Sequence, residues 1–297
     1  MPKYMTILFL PVLIIFNYLV PAYPLDWKSL HDQADNLSLA SAKKIAAKNV
    51  GSFSDGYVLG LVYLNLHQDQ AADETFSKLL QGNPDLIEAK WGKAELLRRR
   101  HDSLAAQSLL NAVIKANPQF APALISLAYI KYFQMDFKAS VNLALRVIQQ
   151  GRDQVDLSNY VRAYAMYAGA KGMLAHNGGF FSKVVDGLAV KSNLNKAQKL
   201  QPNSSAVLFG LGSFYLLAPT IAGGNQSRAE DYLNQAIKAD PFFADAYVRL
   251  GQLAKINGNQ NKFNFYINKA LEIDPQNELA LDTLSERCKF ICAGSKE

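Results

Sequence analysis

Two histidines, His67 and His101, lie 34 positions apart in the sequence. Imidazole is the commonest metal ligand in proteins, so two such side chains stacked on one edge of a repeated structure could share an ion. Histidine is also enriched at turn positions with a positive φ angle, which explains the same spacing without a metal. The sequence contains no metalloprotease or zinc-finger ligand spacing. We therefore predict two turn residues and no metal site.

Paired glycines at 178–179 and 223–224 are the other candidates for chemistry, because glycine-rich loops can cradle phosphate groups. Such loops follow a β-strand and precede a helix, whereas helical patterns precede both of these pairs. The sequence has no Gly-x-Ser-x-Gly elbow, and no pattern brings Ser, His and Asp together. We predict that the chain is not an enzyme and needs no cofactor.

A repeat of 34 residues positions these groups and organises the chain. Five residues recur at the same offsets one repeat later: Gly60, Tyr63, Ala72, Phe76 and Pro84 correspond to Ala94, Leu97, Ala106, Leu110 and Pro118. The small residues allow helices to approach closely, and the proline ends the second helix of each pair. Pro241 and Pro275 are again 34 positions apart. This period predicts a solenoid of stacked helical hairpins.

The pattern of small residues and closing prolines resembles the tetratricopeptide repeat, which is a helical hairpin. The resemblance covers about 53–277 and implies an all-α, right-handed solenoid of about six repeats between helical caps. The predicted segments are an N-terminal cap (23–52), three repeats (53–154), two irregular repeats with Gly-Gly inserts (155–241), a further repeat (242–277) and a C-terminal capping helix (278–297). Such repeats serve many partners, so the resemblance implies a fold before it implies a function.

Both glycine pairs interrupt a hairpin of the irregular repeats, and we expect them side by side on one edge of the solenoid. The second insert, with Pro219, Gly223-Gly224 and Ala229, resembles the T component of tripartite (TRAP) periplasmic transporters. That resemblance implies an accessory component of a solute-uptake system, with a small apolar ligand in the concave cavity. It is the alternative to the hypothesis that follows from the groove.

The tetratricopeptide resemblance implies that first-helix residues line an inner groove. The predicted groove residues are Tyr57, Leu61, Trp91, Glu95, Arg98, Arg99, Tyr129, Tyr132, Phe133 and Phe209. Aromatic residues dominate binding hot spots, so the main hypothesis is a non-enzymatic scaffold that binds a protein or peptide with apolar anchors. Arg98 and Arg99 would steer acidic groups of that ligand. For single aromatic residues such as Trp91 and Phe133, packing between neighbouring helices is the alternative.

Residues 1–22 have the composition of a secretory signal peptide. Lys3 is their only charged residue, an apolar run spans 7–20, and cleavage is expected after Ala22. An uncleaved anchor over 4–25 is the alternative, and the repeats would still face outward. We expect an exported protein, periplasmic or secreted, that contacts a membrane only through this segment if the segment is retained.

The remaining composition excludes two classes of protein. The net charge of +6 is spread along the chain, and no basic stripe with interleaved aromatic residues occurs. We therefore expect no nucleic-acid partner. Two cysteines, Cys288 and Cys292, are too few for a disulfide framework. We expect them on a closing helix over 278–293, where neighbouring turns suit a disulfide poorly, and an oxidised pair is the alternative.

Replacing Ala22 with Trp should block processing, because signal peptidase sites require a small residue before the cut. The measurement is the intact mass and N-terminal sequence of the exported protein. Wild type should begin at Tyr23, and the variant should keep its leader. The same mature N-terminus from both proteins would contradict the predicted cleavage site.

Overall fold

The computed structural model describes residues 25–291, except for the side chains of 180–185. In that part of the chain there are fifteen α-helices and no strand, which confirms the predicted all-α solenoid. The helices are α1 (Trp27–Ala34), α2 (Leu39–Lys48), α3 (Phe53–Asn65), α4 (Asp69–Gly82), α5 (Ile87–Arg99), α6 (Ser103–Ala116), α7 (Ala121–Phe133), α8 (Phe137–Gln150), α9 (Leu157–Asn177), α10 (Phe180–Leu200), α11 (Ser205–Leu217), α12 (Gln226–Ala239), α13 (Ala244–Ile256), α14 (Gln260–Ile273) and α15 (Glu278–Leu284). The predicted signal peptide lies outside the described residues. None of the described helices is long and apolar enough to cross a membrane.

Six helical hairpins stack in order, from α3–α4 to α13–α14. The first helices of the first three begin at positions 53, 87 and 121, which is the 34-residue spacing of the sequence. In each regular hairpin one turn residue has a positive φ angle at the same repeat position: His67 (55°), His101 (61°), Met135 (64°) and Gly258 (70°). The two histidines are therefore turn residues, as predicted, and each turn reverses the chain within a few residues.

Phe76 shows why this repeat requires small residues. Its ring is fully buried and faces Gly60 on α3 and Gly92 on α5. A Cβ atom added at either glycine would lie 2.5 Å from a ring carbon of Phe76, closer than real contacts allow. The spacing of α3, α4 and α5 therefore depends on the missing side chains.

The fourth hairpin is longer than the others, because α9 and α10 have 21 residues each whereas α3 has 13. Its turn holds Gly178 and Gly179. The insert of the fifth hairpin packs beside the middle of α10, where a Cβ at Gly223 would lie 3.5 Å from Nζ of Lys191. Lys191 comes twelve residues after Gly179, about 18 Å along the helix. The inserts do not lie side by side as expected, because the lengthened hairpin carries its own turn beyond the neighbouring insert.

The glycine pair of the fifth hairpin meets a steric need. Gly223 has a φ angle of 96°, which L-residues with side chains rarely adopt. A Cβ at Gly224 would lie 1.9 Å from the carbonyl oxygen of Ala218, so no other residue fits there. The N–H of Gly224 donates to the carbonyl of Pro219 at 3.0 Å and closes the turn. The pair is explained by this turn alone.

Helix α1 lies inside the groove of the first three repeats. Trp27 packs edge-on against Phe120 with ring centroids 5.3 Å apart. Nε2 of His31 is hydrogen-bonded to the hydroxyl of Tyr57 at 2.9 Å, and the same ring lies 5.3 Å from that of Trp91. Burial lowers the pKa of His31 to about 4, so the imidazole is neutral and belongs to the core.

The opposite side of α1 contacts the fourth repeat. Oδ1 of Asp32 accepts a hydrogen bond from the N–H of Leu157 at 3.2 Å, and Oδ2 of Asp35 accepts one from the hydroxyl of Ser158 at 2.5 Å. These contacts are made at the first turn of α9, where backbone N–H groups lack partners within the helix. Helix α1 thus bridges the first three repeats and the fourth.

The C-terminal cap is shorter than predicted. Helix α15 ends at Leu284, and the chain then turns through residues with positive φ angles, among them Cys288 at 54°. Cys288 is disulfide-bonded, and the other cysteine of the chain, Cys292, lies outside the described residues. The closing helix predicted over 278–293 is therefore corrected, because positive φ angles at residues with side chains break a helix.

Replacing Gly60 with Ala should lower the free energy of unfolding by about 1–3 kcal/mol, because the new methyl group overlaps the ring of Phe76. The matched control is Gly187→Ala, where a Cβ would meet nothing within 4 Å. That change should be neutral or stabilising by about 0.5–1 kcal/mol, since it removes glycine from a helix interior. Urea unfolding measures both, and equal effects would contradict this packing.

Candidate binding cavity

The solenoid closes on itself through a set of contacts that we call the closure seam, formed by His67, His101, Asp240, Asp274 and Glu278. Nε2 of His67 lies 3.3 Å from Oδ1 of Asp240. His101 contacts Oδ1 of Asp274 through Nε2 at 2.9 Å and Oε1 of Glu278 through Nδ1 at 3.1 Å. Turns of repeats one and two therefore meet the ends of repeats five and six, with the same 34-residue spacing on both sides.

Aromatic rings pack beside the closure seam. The ring of Phe290 lies 5.8 Å from that of Tyr132 and 5.1 Å from that of Phe133. At the other end, the ring of Phe242 lies 4.9 Å from His67. Tyr132 and Phe133 thus pack between elements, which is the alternative that the sequence left open for Phe133.

The charges of the closure seam favour its closed form. Burial alone would lower the pKa of His101, but its hydrogen bond to Asp274 and the charge of Glu278 outweigh that effect and raise the pKa. Burial raises the pKa of Asp240, whereas the hydrogen bond of His67 lowers it below its usual value overall. Among the residues that the structure describes, no cluster of three or more His, Cys, Asp or Glu side chains could hold a metal ion.

The closed solenoid surrounds a central cavity of about 2390 Å³. Its wall includes the inward faces of α5, α7, α9, α11 and α13, part of α10 and the closure seam. Seven of the predicted groove residues border this cavity: Glu95, Arg98, Arg99, Tyr129, Tyr132, Phe133 and Phe209. These residues share this concave surface, and it is the candidate binding site.

The other three predicted groove residues, Tyr57, Leu61 and Trp91, do not border the cavity and are at most 3% exposed. They belong to the core of the first repeats, against which Leu30 of α1 also packs. The expectation that they line an open groove is corrected. Their positions do point inward, but α1 occupies the space in front of them.

A charged cluster forms the wall of the cavity on α5. Arg98 donates two hydrogen bonds to Glu95, from Nε at 3.0 Å and from Nη2 at 2.6 Å, and Ser126 donates another at 2.8 Å. Nη1 of Arg99 donates to Oδ1 of Asp69 at 2.7 Å. Burial would raise the pKa of Glu95, but the charge of Arg98 lowers it, so the carboxylate is ionised. Both arginines predicted to steer a ligand therefore already hold carboxylates of this chain.

Tyr129 and Phe209 are the predicted aromatic residues that border the cavity and, unlike Tyr132 and Phe133, make no ring contact with Phe290. Tyr129 is half-buried, its ring lies 4.6 Å from Phe133, and the guanidinium of Arg98 stacks 4.3 Å from its centre. Phe209 is half-buried and lies 5.0 Å from Phe243. Rings held rigidly by neighbours in this way can bind an apolar group with little loss of entropy.

Arg162 and Lys191 also border the cavity, and the sequence analysis missed both. They lie on α9 and α10, where the insert obscures the repeat register. The spacing of Ser158, Arg162, Met166 and Gly169, all of which border the cavity, marks one face of α9 and is the signal that was available.

A model of the tetratricopeptide repeat matches residues 244–277, which comprise α13, α14 and the turn after them. The fold is similar to that of TTC0263, a thermophilic TPR protein of Thermus thermophilus, with a TM-score of 0.54 and 18% identity over 69% of this chain and 96% of that one. The family model thus identifies one tetratricopeptide repeat in this chain, at 244–277, and the fold of the solenoid is similar to that of tetratricopeptide-repeat proteins.

Other solved structures are similar in fold over more of the chain. One from Parabacteroides merdae ATCC 43184 has a TM-score of 0.52 and 14% identity, covering 88% of this chain and 98% of that one. The Cut9 and Hcn1 hetero-tetramer of the APC/C gives 0.56 and 16% identity, covering 92% of this chain and 50% of that chain. No curated protein matches the sequence. These likenesses concern the fold alone.

Replacing His101 with Asn should weaken the closure seam while tolerating the positive φ angle. Because the folded pKa of His101 is raised above its usual 6.5, its stabilisation is fully present below pH 6.5 and is lost as the pH rises through the raised value. We expect the variant to be about 0.2–1 kcal/mol less stable at pH 6, and the difference to shrink towards pH 8.5.

Urea unfolding between pH 5.5 and 8.5 tests this expectation for the seam. The control is His176→Asn, because His176 borders the cavity but is exposed and lies at the far end of α9. A difference between wild type and His101→Asn that stays constant with pH would show that His101 contributes no charge to closure.

Proposed function

We propose that the cavity binds a segment of a partner protein, and that this binding is not catalytic. The observation that carries the proposal is the size of the cavity, about 2390 Å³. Sites for drug-sized molecules occupy about 300–1,000 Å³, so this space suits a folded or extended peptide segment better than a small solute. The general use of tetratricopeptide repeats as scaffolds supports the same class of ligand.

The wall of the cavity supports a ligand with apolar anchors. Tyr129, Phe209 and Phe214 border it as half-buried aromatic residues, which combine exposed ring surface with fixed position. Residues of this kind dominate the binding energy of protein interfaces. The TRAP-type alternative, in which a small apolar solute fills the cavity, uses the same rings but leaves most of the volume to water.

Export is part of the proposal. The apolar run of residues 7–20 has the character of a secretory leader, and Cys288 is disulfide-bonded. Disulfides persist in oxidising compartments such as the periplasm and the extracellular space, and they are rare in the cytosol. Both observations support a scaffold that meets its partner outside the cytoplasm.

Replacing Gly169 with Trp should obstruct the part of the cavity in front of α9 without disturbing the fold. Gly169 is exposed on the cavity face of α9, and a Cβ there would be 4.0 Å from Cε2 of Tyr132, an ordinary contact. The matched control is Leu104→Trp, since Leu104 is 81% exposed and does not border the cavity. The probe is a displayed library of random peptides, selected against the wild-type protein.

Peptides from this selection should bind wild type and Leu104→Trp alike, and should lose at least about tenfold in affinity for Gly169→Trp. Fluorescence anisotropy with synthetic copies measures the difference, and thermal melting shows that both variants are folded. Peptides that bind all three proteins equally would place binding outside the cavity and contradict the proposal.

A further inference from the structure

The charges that border the cavity are not equally satisfied. Each carboxylate on the wall accepts a hydrogen bond from within the chain: Asp35, Asp69, Glu95, Asp240, Asp245, Asp274 and Glu278. Two cations on the same wall, Arg162 and Lys191, make no hydrogen bond or ion pair with the described residues. A ligand group that pairs with these two cations would therefore be an anion.

Arg162 is the more constrained of these two cations. It projects from the cavity face of α9 and is half-buried. Burial lowers its pKa; the nearby charge of Glu95 opposes this, and the charges of Arg98 and Arg99 add to it. Glu95 accepts two hydrogen bonds from Arg98 and one from Ser126, and it makes no hydrogen bond with Arg162. A half-buried guanidinium that borders a cavity and has no partner among the described residues is therefore open to a negative group of a ligand.

Lys191 is the second cation of the wall that makes no hydrogen bond with the described residues. Its Nζ lies 5.7 Å from the ring centre of Phe214 and 5.4 Å from that of Tyr215, so aromatic faces are its neighbours. Cation–π contacts of this kind leave the hydrogen-bond donors of the ammonium available. A ligand that fills the cavity would therefore meet a second cation, on α10, next to aromatic rings of α11.

We infer that the cavity has an anion-binding position at Arg162, which takes a carboxylate of the bound segment. The inference rests on the proposed function and names the chemistry of its ligand. The planar guanidinium can offer two parallel N–H donors to the two oxygens of one carboxylate. That carboxylate comes either from an Asp or Glu side chain or from the C-terminus of the segment. The rings of Tyr129 and Phe214, which border the same cavity, take apolar side chains of the segment.

The test compares Arg162→Gln with Arg146→Gln, which removes the same charge from an exposed position outside the cavity. The probe is a synthetic copy of a peptide whose binding Gly169→Trp weakens. We expect Arg162→Gln to weaken this peptide by at least about tenfold and Arg146→Gln to leave it unchanged. Arg162→Lys should recover part of the affinity, since it restores the positive charge but not the two parallel N–H donors of the guanidinium.

Two changes in the peptide identify the source of the carboxylate. Replacing its Asp and Glu with Asn and Gln should remove the effect of Arg162 if a side chain supplies the carboxylate. Amidating its C-terminus should remove the effect if the terminus supplies it. A peptide sensitive to Gly169→Trp that ignores both changes and binds Arg162→Gln at full strength overturns the inference and leaves the proposed function intact. A library that yields no peptide sensitive to Gly169→Trp overturns both.

Thermal melting without ligand gives a second test. Because Arg162 makes no hydrogen bond or ion pair with the described residues, Arg162→Gln should leave the melting temperature unchanged or raise it. If Arg162 instead serves the folded state, the variant should melt several degrees lower than Arg146→Gln. That result would assign the guanidinium to structure and overturn the inference, whatever the peptides show.

Discussion

The cavity depends on the contact between His101 and the carboxylates of Asp274 and Glu278. A repeat in a solenoid packs only against its neighbours, so nothing within one repeat dictates that the two ends meet. Here the turn edge of the first repeats and the helix ends of the last repeats share the period of 34 residues. The contact between His101 and Asp274 therefore aligns the two edges so that His67 also meets Asp240, one repeat earlier on each side. Closure converts a concave face into a space with walls on several sides.

The sequence was sufficient for features that depend on neighbouring repeats. The recurrence of Gly60 as Ala94 reflects helices that pack against each other, and Phe76 gives this recurrence a steric cause. The positive φ angles of His67 and His101 follow from the same local geometry. Each of these features is set by residues within about one repeat, and a periodic pattern records such interactions directly.

Features that join distant segments could not be read from the pattern. Helix α1 carries no repeat signature, yet it fills the groove in front of Tyr57 and Trp91 and bonds to Ser158 on α9. Burial of these aromatic residues was thus decided by a helix outside the period. Arg162 escaped notice for a related reason, because lengthened helices displaced the register of its repeat. Periodicity identifies the face that points inward, and only the tertiary fold determines what lies against it.

Closure and the charge of Arg162 are physically connected. The seam holds repeats five and six against the same cavity that Arg162 borders. A segment bound at Arg162 can therefore also contact those repeats only while the seam is closed. A ligand that interacts better with one of two forms shifts the equilibrium towards it. The inferred anion position would thus favour closure around the segment that supplies the carboxylate.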